Sequence, residues 1–239
     1  MKLDLSAPHQ RYTLADGSYA TGVTTVLGVL NKGALMPWAA KVEREFVAAH
    51  FARGGDAATL PRQYAYAAES GRAADLGTVA HAHIEAWLTE RELDTEGLPE
   101  GMWEAALPAF DRFKSWWDGM GLELVASEWQ GVSEAYRYGG TIDFVARKKD
   151  GTLLLGDIKT SKANKAWPYP TVIAQVAAYR QMWQENGKGD VGEVHVVRVG
   201  KTAEDRGQYV RITERDLDAG WALFKAARAA YDALAVLER

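Results

Sequence analysis

Two acidic residues and a lysine interrupt apolar segments near the middle of the chain. Asp143 lies within residues 139–146, and Asp157 and Lys159 lie within residues 153–162. β-Branched and aliphatic residues dominate both segments, which predicts two buried strands. A carboxylate buried in a strand is costly unless it is paired or binds a cation. Since strand side chains alternate, Asp157 and Lys159 share one face, and the three residues together predict a divalent-metal site.

The turn between the two segments predicts how they align. A three-residue hairpin loop that ends with Gly151 in the left-handed conformation places Lys148 opposite Thr152. The same register places Asp143 directly opposite Asp157, with their Cβ atoms about 5 Å apart. A two-residue turn would shift the register by one residue and send the two acids to opposite faces of the sheet.

The acids and the lysine also form a known sequence pattern. Asp143, followed by Asp157-Ile158-Lys159, resembles the signature of the PD-(D/E)xK nuclease superfamily. More narrowly, the chain resembles the RecB-like exonuclease branch, in which a G-x-x-x-H helix and a Q-x-x-x-Y motif accompany that signature. Residues 77–81 match the first of these motifs and residues 175–179 match the second.

Two short segments near the start extend the resemblance. Residues 22–27 and 38–41 are similar to the N-terminal pattern of phage-encoded exonucleases and of the mitochondrial genome-maintenance exonuclease. The resemblance implies an α/β fold with a restriction-endonuclease-like core, in which helices flank a central mixed β-sheet beside an N-terminal helical portion. We expect one nuclease domain over residues 1–239, with the histidine motif in a mostly helical part (1–121) and the D…DxK motif in a sheet core (122–239).

Hydrophobic periodicity and turn residues predict the individual elements. A short hairpin is expected over residues 11–20. Helices are expected at 23–30, 37–51, 65–89, 102–120 and 171–185, and from residue 216 onward. Strands are expected at 122–128, 136–147, 152–159, 192–199 and 208–212.

The resemblance also implies a ligand set for the metal. One or two Mg²⁺ or Mn²⁺ ions would be bound by His81, Asp143, Asp157 and the backbone carbonyl of Ile158. Lys159 would complete the catalytic group by orienting a water, by helping to deprotonate it, or by stabilising charge in the transition state. The sequence leaves these three roles open.

Other acids and histidines are weaker candidates. Glu85 is spaced i, i+4 from His81 and shares its helix face, so it would bind a second metal, orient water, or simply be an exposed acid. His83 points elsewhere on the same helix and is expected to be structural or solvent-facing. Glu128, at the end of the strand that precedes the hairpin, would either complete the acidic cluster or bond locally.

A further set of residues is expected to support the site or contact nucleic acid. Gln175 and Tyr179 are again spaced i, i+4, and we favour a supporting role for them over simple amphipathic packing. Trp38 would stack on a base or pack in the core. The remaining candidates are Thr160, Ser161, Lys162, Thr24, Thr25, Lys41 and Arg72.

Composition limits the classes of function. The chain has 239 residues, of which 47% are hydrophobic, so a sizeable core is available. Cysteine is absent, which excludes disulfides and an iron–sulfur cluster held by cysteine thiolates. We find no signal peptide and no apolar run that would span a bilayer, and we therefore expect a cytoplasmic protein of a bacterial or phage-infected cell that does not bind membranes.

The net charge of −4 is unusual for a protein that binds nucleic acid, because phosphate contacts depend on Lys and Arg. The local distribution of charge matters more than its sum. Basic residues are expected to gather around the site, namely Arg137, Arg147, Lys148, Lys149, Lys159, Lys162 and Lys165. An acidic protein with a basic groove is typical of an enzyme that releases its product.

These observations lead to one hypothesis and two alternatives. The hypothesis is a metal-dependent exonuclease that acts on single-stranded DNA or DNA ends in recombination, replication or repair. The first alternative is an endonuclease for flapped or branched DNA, and the second is a non-catalytic DNA-binding recombination partner. A protein that binds single strands or acts in recombination is a candidate partner, whereas polarity of digestion and oligomeric state are not encoded in any recognisable pattern.

Overall fold

The structure is a computed structural model that describes residues 11–30, 35–96, 98–161, 167–200 and 204–237. Its elements run in the order β1 (Tyr12–Thr13), β2 (Tyr19–Gly22), α1 (Val23–Leu27), α2 (Leu35–Ala52), α3 (Ala65–Leu88), α4 (Met102–Met120), β3 (Glu123–Ser133), β4 (Tyr138–Arg147), β5 (Leu153–Thr160), α5 (Pro170–Glu185), β6 (Glu193–Val199), β7 (Gln208–Ile212) and α6 (Glu214–Leu237). The predicted elements are confirmed, and α4 and β7 begin and end where they were expected. The largest difference is β3, which continues past its expected end at residue 128.

The seven strands form one mixed sheet, which confirms the expected fold class. The order of strands along the sheet is β1-β2-β4-β5-β6-β7, and β3 pairs with β4 outside that path. The β2–β4 and β5–β6 pairs are parallel, and the other pairs are antiparallel. Because β1 and β2 precede residue 121, the mostly helical N-terminal part contributes two strands to the central sheet.

Helices cover both faces of the sheet, so the core is divided into two layers. One layer packs α1, α5 and α6 against the sheet around Ile142, Val145 and Leu155. The other packs α3 and α4 around Phe144, Ala146 and Leu154. The longest helices, α3 and α6, have 24 residues each, and no helix in the described ranges is both long and apolar enough to cross a membrane.

The register predicted for the β4–β5 hairpin is confirmed. Four consecutive pairs run from Arg147 opposite Leu153 to Phe144 opposite Gly156. The turn is closed by a hydrogen bond from the Lys148 N–H to a carbonyl across the loop, and the loop's glycine has φ = +88°. The paired residues end there, and Asp143 and Asp157 are the next residues on the two strands.

Strand β3 carries an irregularity that the sequence does not reveal. The pairing with β4 shifts by one residue between Leu124 and Ala126, which leaves Val125 as an extra residue in a β-bulge. Beyond the bulge, the pairs Ser127–Phe144 and Trp129–Ile142 flank the position where Glu128 faces Asp143. The shift therefore decides which residue of β3 is aligned with the acidic residue of β4.

The alternation of side chains breaks at the same position. Ala126 and Trp129 are three residues apart on β3, yet both pack in the α5 layer, and Ile142 and Val145 on β4 behave in the same way. Regular alternation would place residues three apart on opposite faces. Glu128 makes the break possible, because its φ of +47° turns the backbone of β3. The acids thus lie at the position where the alternation of side chains between the two faces of the sheet is interrupted.

The edge of β4 that faces away from β3 is shared by two strands. β5 pairs with β4 at residues 144–147, and β2 pairs with it at residues 138 and 139. Because β3 occupies the other edge along the whole strand, β5 and β2 must lie on the same edge. Residues 140–143 therefore form a gap between β2 and β5, at which β4 and β5 separate.

Candidate metal and catalytic site

Asp157 and Lys159 form a buried ion pair on β5. The Lys159 Nζ donates a hydrogen bond to Oδ1 of Asp157 at 2.8 Å. It also lies 2.7 Å from Oδ2, but at an angle that makes no hydrogen bond, so Oδ2 is buried without a hydrogen-bond partner. The Asp157 carboxylate is thus paired electrostatically with the ammonium, and its Oδ2 keeps the capacity to accept a hydrogen bond or to bind a cation.

Asp143 on β4 completes the acidic pair. Its carboxylate accepts a hydrogen bond from the backbone N–H of Ile158. Such an N–H would otherwise pair with a neighbouring strand, and the separation of β4 and β5 releases it. The predicted convergence of Asp143, Asp157 and Lys159 is present, and it depends on the point at which the two strands separate.

His81 reaches the acids from the helical layer. Its Nδ1 lies 3.9 Å from Oδ2 of Asp143, and its ring lies near the backbone of Ile158, which favours the protonated imidazole. Burial, together with the positive charge of Lys159, lowers the pKa of His81 to about 4. The imidazole is therefore neutral at neutral pH, which is the state that binds metal ions.

The glycine of the G-x-x-x-H motif explains how α3 can approach β5. A Cβ atom at Gly77 would lie 2.6 Å from Oγ1 of Thr160, the last residue of β5. A side chain at this position would push the helix away from the strand. Because His81 is one helical turn further along α3, the glycine sets how closely its ring approaches Asp143.

Glu128 is the member of the site that sequence reasoning placed least well. It lies inside β3 rather than at the end of a strand, and its carboxylate joins His81 and Asp143 in a group whose ligand atoms all lie within 4.8 Å of one another. Burial, and then the negative charges of Asp143, Glu85 and Asp157, raise the pKa of Glu128 to about 8. Three acids therefore face one another across β3, β4 and β5, with Glu85 close enough to add to their field.

The pKa values of Asp143 and Asp157 are also raised. Burial raises the pKa of Asp143, against the opposing effects of Lys159 and the Ile158 N–H. Burial likewise raises the pKa of Asp157 to about 6. Burial alone would lower the pKa of Lys159, but the charges of Asp157 and Asp143 raise it above its ordinary value, so this residue remains an ammonium ion.

Gln175 and Tyr179 approach Asp157 from α5, as the Q-x-x-x-Y motif led us to expect. The Gln175 side-chain amide donates hydrogen bonds to Oδ1 of Asp157 at 3.2 Å and to the Tyr179 hydroxyl at 3.0 Å. A Cβ atom at Gly140 would lie 2.5 Å from the Tyr179 ring, so a glycine on β4 is required for the ring to lie there. Gln175 thus contacts the acid directly, whereas Tyr179 contacts Gln175 and also packs in the core on the α5 side of the sheet.

The donor set fits a hard divalent cation. Carboxylate oxygens from three strands and one neutral imidazole suit Mn²⁺ and are acceptable to Mg²⁺. His81, Glu128 and Asp143 could hold the ion, and Oδ2 of Asp157 lies beside them in an ion pair with Lys159. The chain has no cysteine that could hold an iron–sulfur cluster.

The segment that follows Lys159 is fixed by contacts with Arg198. The Ser161 carbonyl accepts a hydrogen bond from the buried side chain of Arg198 at 2.8 Å, and Arg198 also forms a two-point ion pair with Asp205. The Ser161 hydroxyl is buried and without a hydrogen-bond partner in the described part of the chain. Lys162 lies outside the described residues.

The N-terminal candidates divide into two groups. Thr24 and Thr25 are exposed on α1 and line a cleft beside the site. Trp38 on α2 packs edge-to-face against Tyr66, and Lys41 forms an i, i+4 ion pair on the same helix. Arg72 is exposed on α3, and no described contact brings these last three candidate residues (Trp38, Lys41 and Arg72) to the acids.

His83 has the structural role that we expected. Its ring is stacked between the rings of Trp103 and Phe110, with centroids 4.1 and 3.8 Å away. Burial lowers the pKa of His83 as well. The residue joins α3 to α4 and takes no part in the acidic group.

The basic residues do not gather around the site as we expected. Arg147, Lys148 and Lys149 surround the turn of the β4–β5 hairpin, about 13–20 Å along the strand from Asp143. Lys148 is paired with Glu193 at 2.9 Å. At the other end of β4, Arg137 is paired with Asp16, so Lys159 is the one predicted cation among the described residues that lies beside the acids.

A cleft adjoins the site on the side of the gap in the sheet. It has a volume of about 410 Å³ and is lined by Arg11, Tyr12, Tyr19, Ala20, Gly22, Val23, Thr24, Thr25, Gly140 and Tyr179. Sequence reasoning missed Tyr12 and Tyr19, because the hairpin that carries them meets β4 through a parallel pairing between residues more than a hundred positions apart. The aromatic residues on either side of the Asp16-Gly17 turn were the available signal.

No family model and no curated protein matches the chain. Among solved structures it is similar to a protein from Eubacterium rectale described as a "putative exonuclease", at 12% identity and a TM-score of 0.46, over 65% of this chain and 64% of that one. It is also similar to the protein SSO0001, at 16% identity and a TM-score of 0.33, over 63% of this chain and 74% of that one. The chain thus spans less than two thirds of the first protein, and likenesses this distant carry no conclusion about chemistry.

Proposed function

We propose that this chain is a deoxyribonuclease that uses Mg²⁺ or Mn²⁺ to hydrolyse phosphodiester bonds from the ends of DNA, with single-stranded DNA as the preferred form. The observation that supports it is the convergence of Asp143, Asp157 and Lys159, joined by Glu128 and His81, where β4 and β5 separate. Such a group combines ligands for a hard cation with a fixed positive charge. Both features assist the hydrolysis of a phosphodiester, because they stabilise negative charge on the phosphate.

The ligand residues would hold the ion against the scissile phosphate. A bound Mg²⁺ or Mn²⁺ ion lowers the pKa of a coordinated water and stabilises negative charge on the phosphate. His81, Glu128 and Asp143 offer their donor atoms to a common point, and Asp157 offers its unsatisfied oxygen. Because the pKa of Glu128 is raised to about 8, the acidic group retains a proton at neutral pH, and a cation would replace that proton.

Lys159 would supply positive charge rather than act as a base. Its ammonium is held by Asp157, and the two acids around it raise its pKa. A protonated lysine donates hydrogen bonds, so it can bind a phosphate oxygen or the attacking water and stabilise the charge that develops in the transition state. Among the three roles left open by the sequence, this geometry favours orientation and charge stabilisation over deprotonation.

Gln175 and Tyr179 would keep the acid in place. The Gln175 amide holds Oδ1 of Asp157, which leaves the other oxygen for the cation. A site fixed in this way needs little reorganisation during the reaction, which is a large part of catalytic electrostatics.

The biological setting is also part of the proposal. A nuclease that shortens single strands or DNA ends serves recombination, replication or repair, in a bacterium or in a phage-infected cell. A protein that binds single strands or acts in recombination would be the partner that delivers its substrate.

One set of digestions tests the function. The purified protein is incubated with Mg²⁺ or Mn²⁺ and linear single-stranded DNA labelled at either end, beside circular single strands, a duplex and a single-stranded RNA of the same sequence. We expect metal-dependent shortening of the linear DNA, which EDTA stops, while the circle stays intact. The label that is lost first gives the polarity.

Matched variants distinguish catalysis from contamination. Lys159→Ala should abolish cleavage, whereas Lys149→Ala removes an exposed lysine from the same hairpin and should leave the rate unchanged. Cleavage of the circle would move the proposal to an endonuclease. Binding of DNA with no cleavage under any metal would instead favour the non-catalytic recombination partner.

A further inference from the structure

The cleft beside the acids has a definite place in the sheet. Its floor is the gap between β2 and β5 along one edge of β4, where Gly140 and the Tyr179 ring lie. Its opposite wall is the β1–β2 hairpin and the start of α1. The cleft therefore opens at the point where the two catalytic strands separate.

One wall of the cleft presents an aromatic ring to solvent. Tyr19 is 65% exposed and lines the cleft. The guanidinium of Arg11 lies 5.4 Å from the centre of this ring and covers one of its faces. The other face is left for a planar ligand, and a positive charge stands beside it.

The second tyrosine of the hairpin fixes the wall. The Tyr12 hydroxyl is hydrogen-bonded to Oγ1 of Thr141 at 3.0 Å, and its ring lies where a Cβ atom of Gly139 would otherwise be. The hairpin is thus held directly on β4. An exposed ring on a fixed hairpin is a rigid platform, which loses little entropy when a ligand stacks on it.

The cleft is connected to the acids through two side chains. Tyr179 lines the cleft, and its hydroxyl accepts a hydrogen bond from Gln175, which in turn holds Asp157. A ligand in the cleft would therefore lie two side chains away from the reacting centre. The exposed hydroxyls of Thr24 and Thr25 stand on the same cleft and can donate to phosphate oxygens.

We propose that this cleft is a nucleotide subsite, in which an unpaired base of the substrate strand stacks on Tyr19 while Arg11, Thr24 and Thr25 bind its phosphates. Every base has a flat face, so stacking on an aromatic ring holds a strand without reading its sequence. The proposal deepens the nuclease function and rests on it, since it assigns the neighbouring nucleotide of the same strand.

The dimensions of the cleft select the form of the ligand. A volume of about 410 Å³ is that of a site for one small molecule, and a single nucleotide is of this size. A duplex, whose major groove alone is about 12 Å wide, does not enter such a space. The subsite would therefore contribute to a preference for unpaired DNA.

Binding without cleavage tests the subsite separately from the chemistry. The affinity of wild-type protein for a fluorescent twelve-nucleotide oligothymidine is measured by anisotropy in EDTA, beside Tyr19→Ala, Tyr19→Phe and Tyr64→Ala. Tyr64 is a matched control, because it is 64% exposed on the surface before α3. We expect Tyr19→Ala to weaken binding about tenfold, the loss typical of one stacked base, with Tyr19→Phe and Tyr64→Ala close to wild type.

A crosslinking experiment gives a second readout that needs no variant. A strand that carries 5-iodouracil forms a photochemical bond with an aromatic side chain stacked on it, and peptide mass spectrometry identifies the residue. We expect Tyr19 to be the crosslinked residue.

The outcomes separate the two proposals. Equal affinity of Tyr19→Ala and wild type, together with crosslinks elsewhere, would overturn the subsite while metal-dependent cleavage left the nuclease function standing. Tyr19-dependent binding with no cleavage would support the subsite and overturn the hydrolytic function. A wild-type protein that binds no single-stranded DNA overturns the subsite whatever its activity.

Discussion

The helices on the two faces of the sheet contact the acidic residues in different ways. From α5, Gln175 holds Asp157 by a direct hydrogen bond and is itself tied to Tyr179. From α3, His81 lies 3.9 Å from Asp143, which is too far for a hydrogen bond. The α5 side is thus joined to the acids by hydrogen bonds. On the α3 side, the donor atoms of His81, Glu128 and Asp143 lie within 4.8 Å of one another, as ligands of one cation would.

The two layers are therefore expected to have different roles in the site. The α5 layer fixes the position of one carboxylate through neutral hydrogen bonds, which need no ion. On our proposal, the α3 layer supplies a metal ligand, whose contribution to activity would appear only when a metal is bound. Substitutions on the two sides should therefore differ in their metal dependence as well as in their size.

The largest effect is expected for Asp157→Asn, which removes the negative charge of the central carboxylate. The rate of cleavage should fall at least about a thousandfold, because a ligand of the cation is lost. Stability at pH 7 should not fall, since burial makes the charged form unfavourable in the folded state. Thermal unfolding and end-labelled digestion measure the two quantities.

The pH dependence of stability checks the same point. The pKa of Asp157 is raised by burial to about 6 in the folded protein, so its contribution to stability is present at low pH and is lost as the pH rises through 6. The unfolding temperature of wild type relative to Asp157→Asn should therefore decrease between about pH 4 and 6. A constant difference across that range would contradict the raised pKa.

A smaller effect is expected on the α3 side. His81→Ala should lower activity by about 10- to 100-fold at limiting metal and raise the Mn²⁺ concentration needed for half-maximal rate. Excess Mn²⁺ should restore part of the activity. The control is His83→Ala, which disturbs the stack with Trp103 and Phe110 and should lower stability without changing the Mn²⁺ requirement.

Gly77→Ala tests the approach of α3 to β5. The added Cβ meets Oγ1 of Thr160, so we expect a loss of about 1–3 kcal/mol in the free energy of unfolding and a weaker metal response. In a Thr160→Ala background the obstacle is gone, and alanine should then be neutral or stabilising, because it favours a helix over glycine by about 1 kcal/mol. Equal costs in both backgrounds would show that the close contact is not the cause.

The smallest effect is expected for Tyr179→Phe on the α5 side. The ring still fills the space beside Gly140, and only the hydroxyl that accepts from Gln175 is lost. One hydrogen bond contributes about 1 kcal/mol, so cleavage should slow about fivefold, with an unchanged Mn²⁺ requirement. A shifted Mn²⁺ requirement would show that the two layers do not act separately.

The sequence predicts the hairpin part of the site because turn chemistry fixes register. Gly151 selects the loop, and the loop aligns Asp143 with Asp157. The position of Glu128 could not be found in this way. It depends on a bulge at Val125, and the surrounding residues contain neither the glycine nor the proline that usually marks one.

Long-range pairing limits prediction in the same manner. Arg137 and Lys148 are near the acids in sequence, yet an extended strand carries them away from the site in space. Tyr19 is far away in sequence, but β2 pairs with β4 and brings it to the cleft. The distance between two residues on one strand can be calculated from their separation in sequence. A parallel pairing of only two residues, by contrast, leaves no local signal in the sequence of either strand.

The bulge on β3 also provides a place from which the site can be observed. Val125 is 41% exposed and takes no pairing position in the described ladder, while its neighbours keep theirs. Since the chain contains no cysteine, a Val125→Cys variant would carry a single thiol for a fluorophore or spin label, three residues before Glu128. Such a label would report metal and strand binding spectroscopically, without occupying a residue of the ladder or of the acidic group.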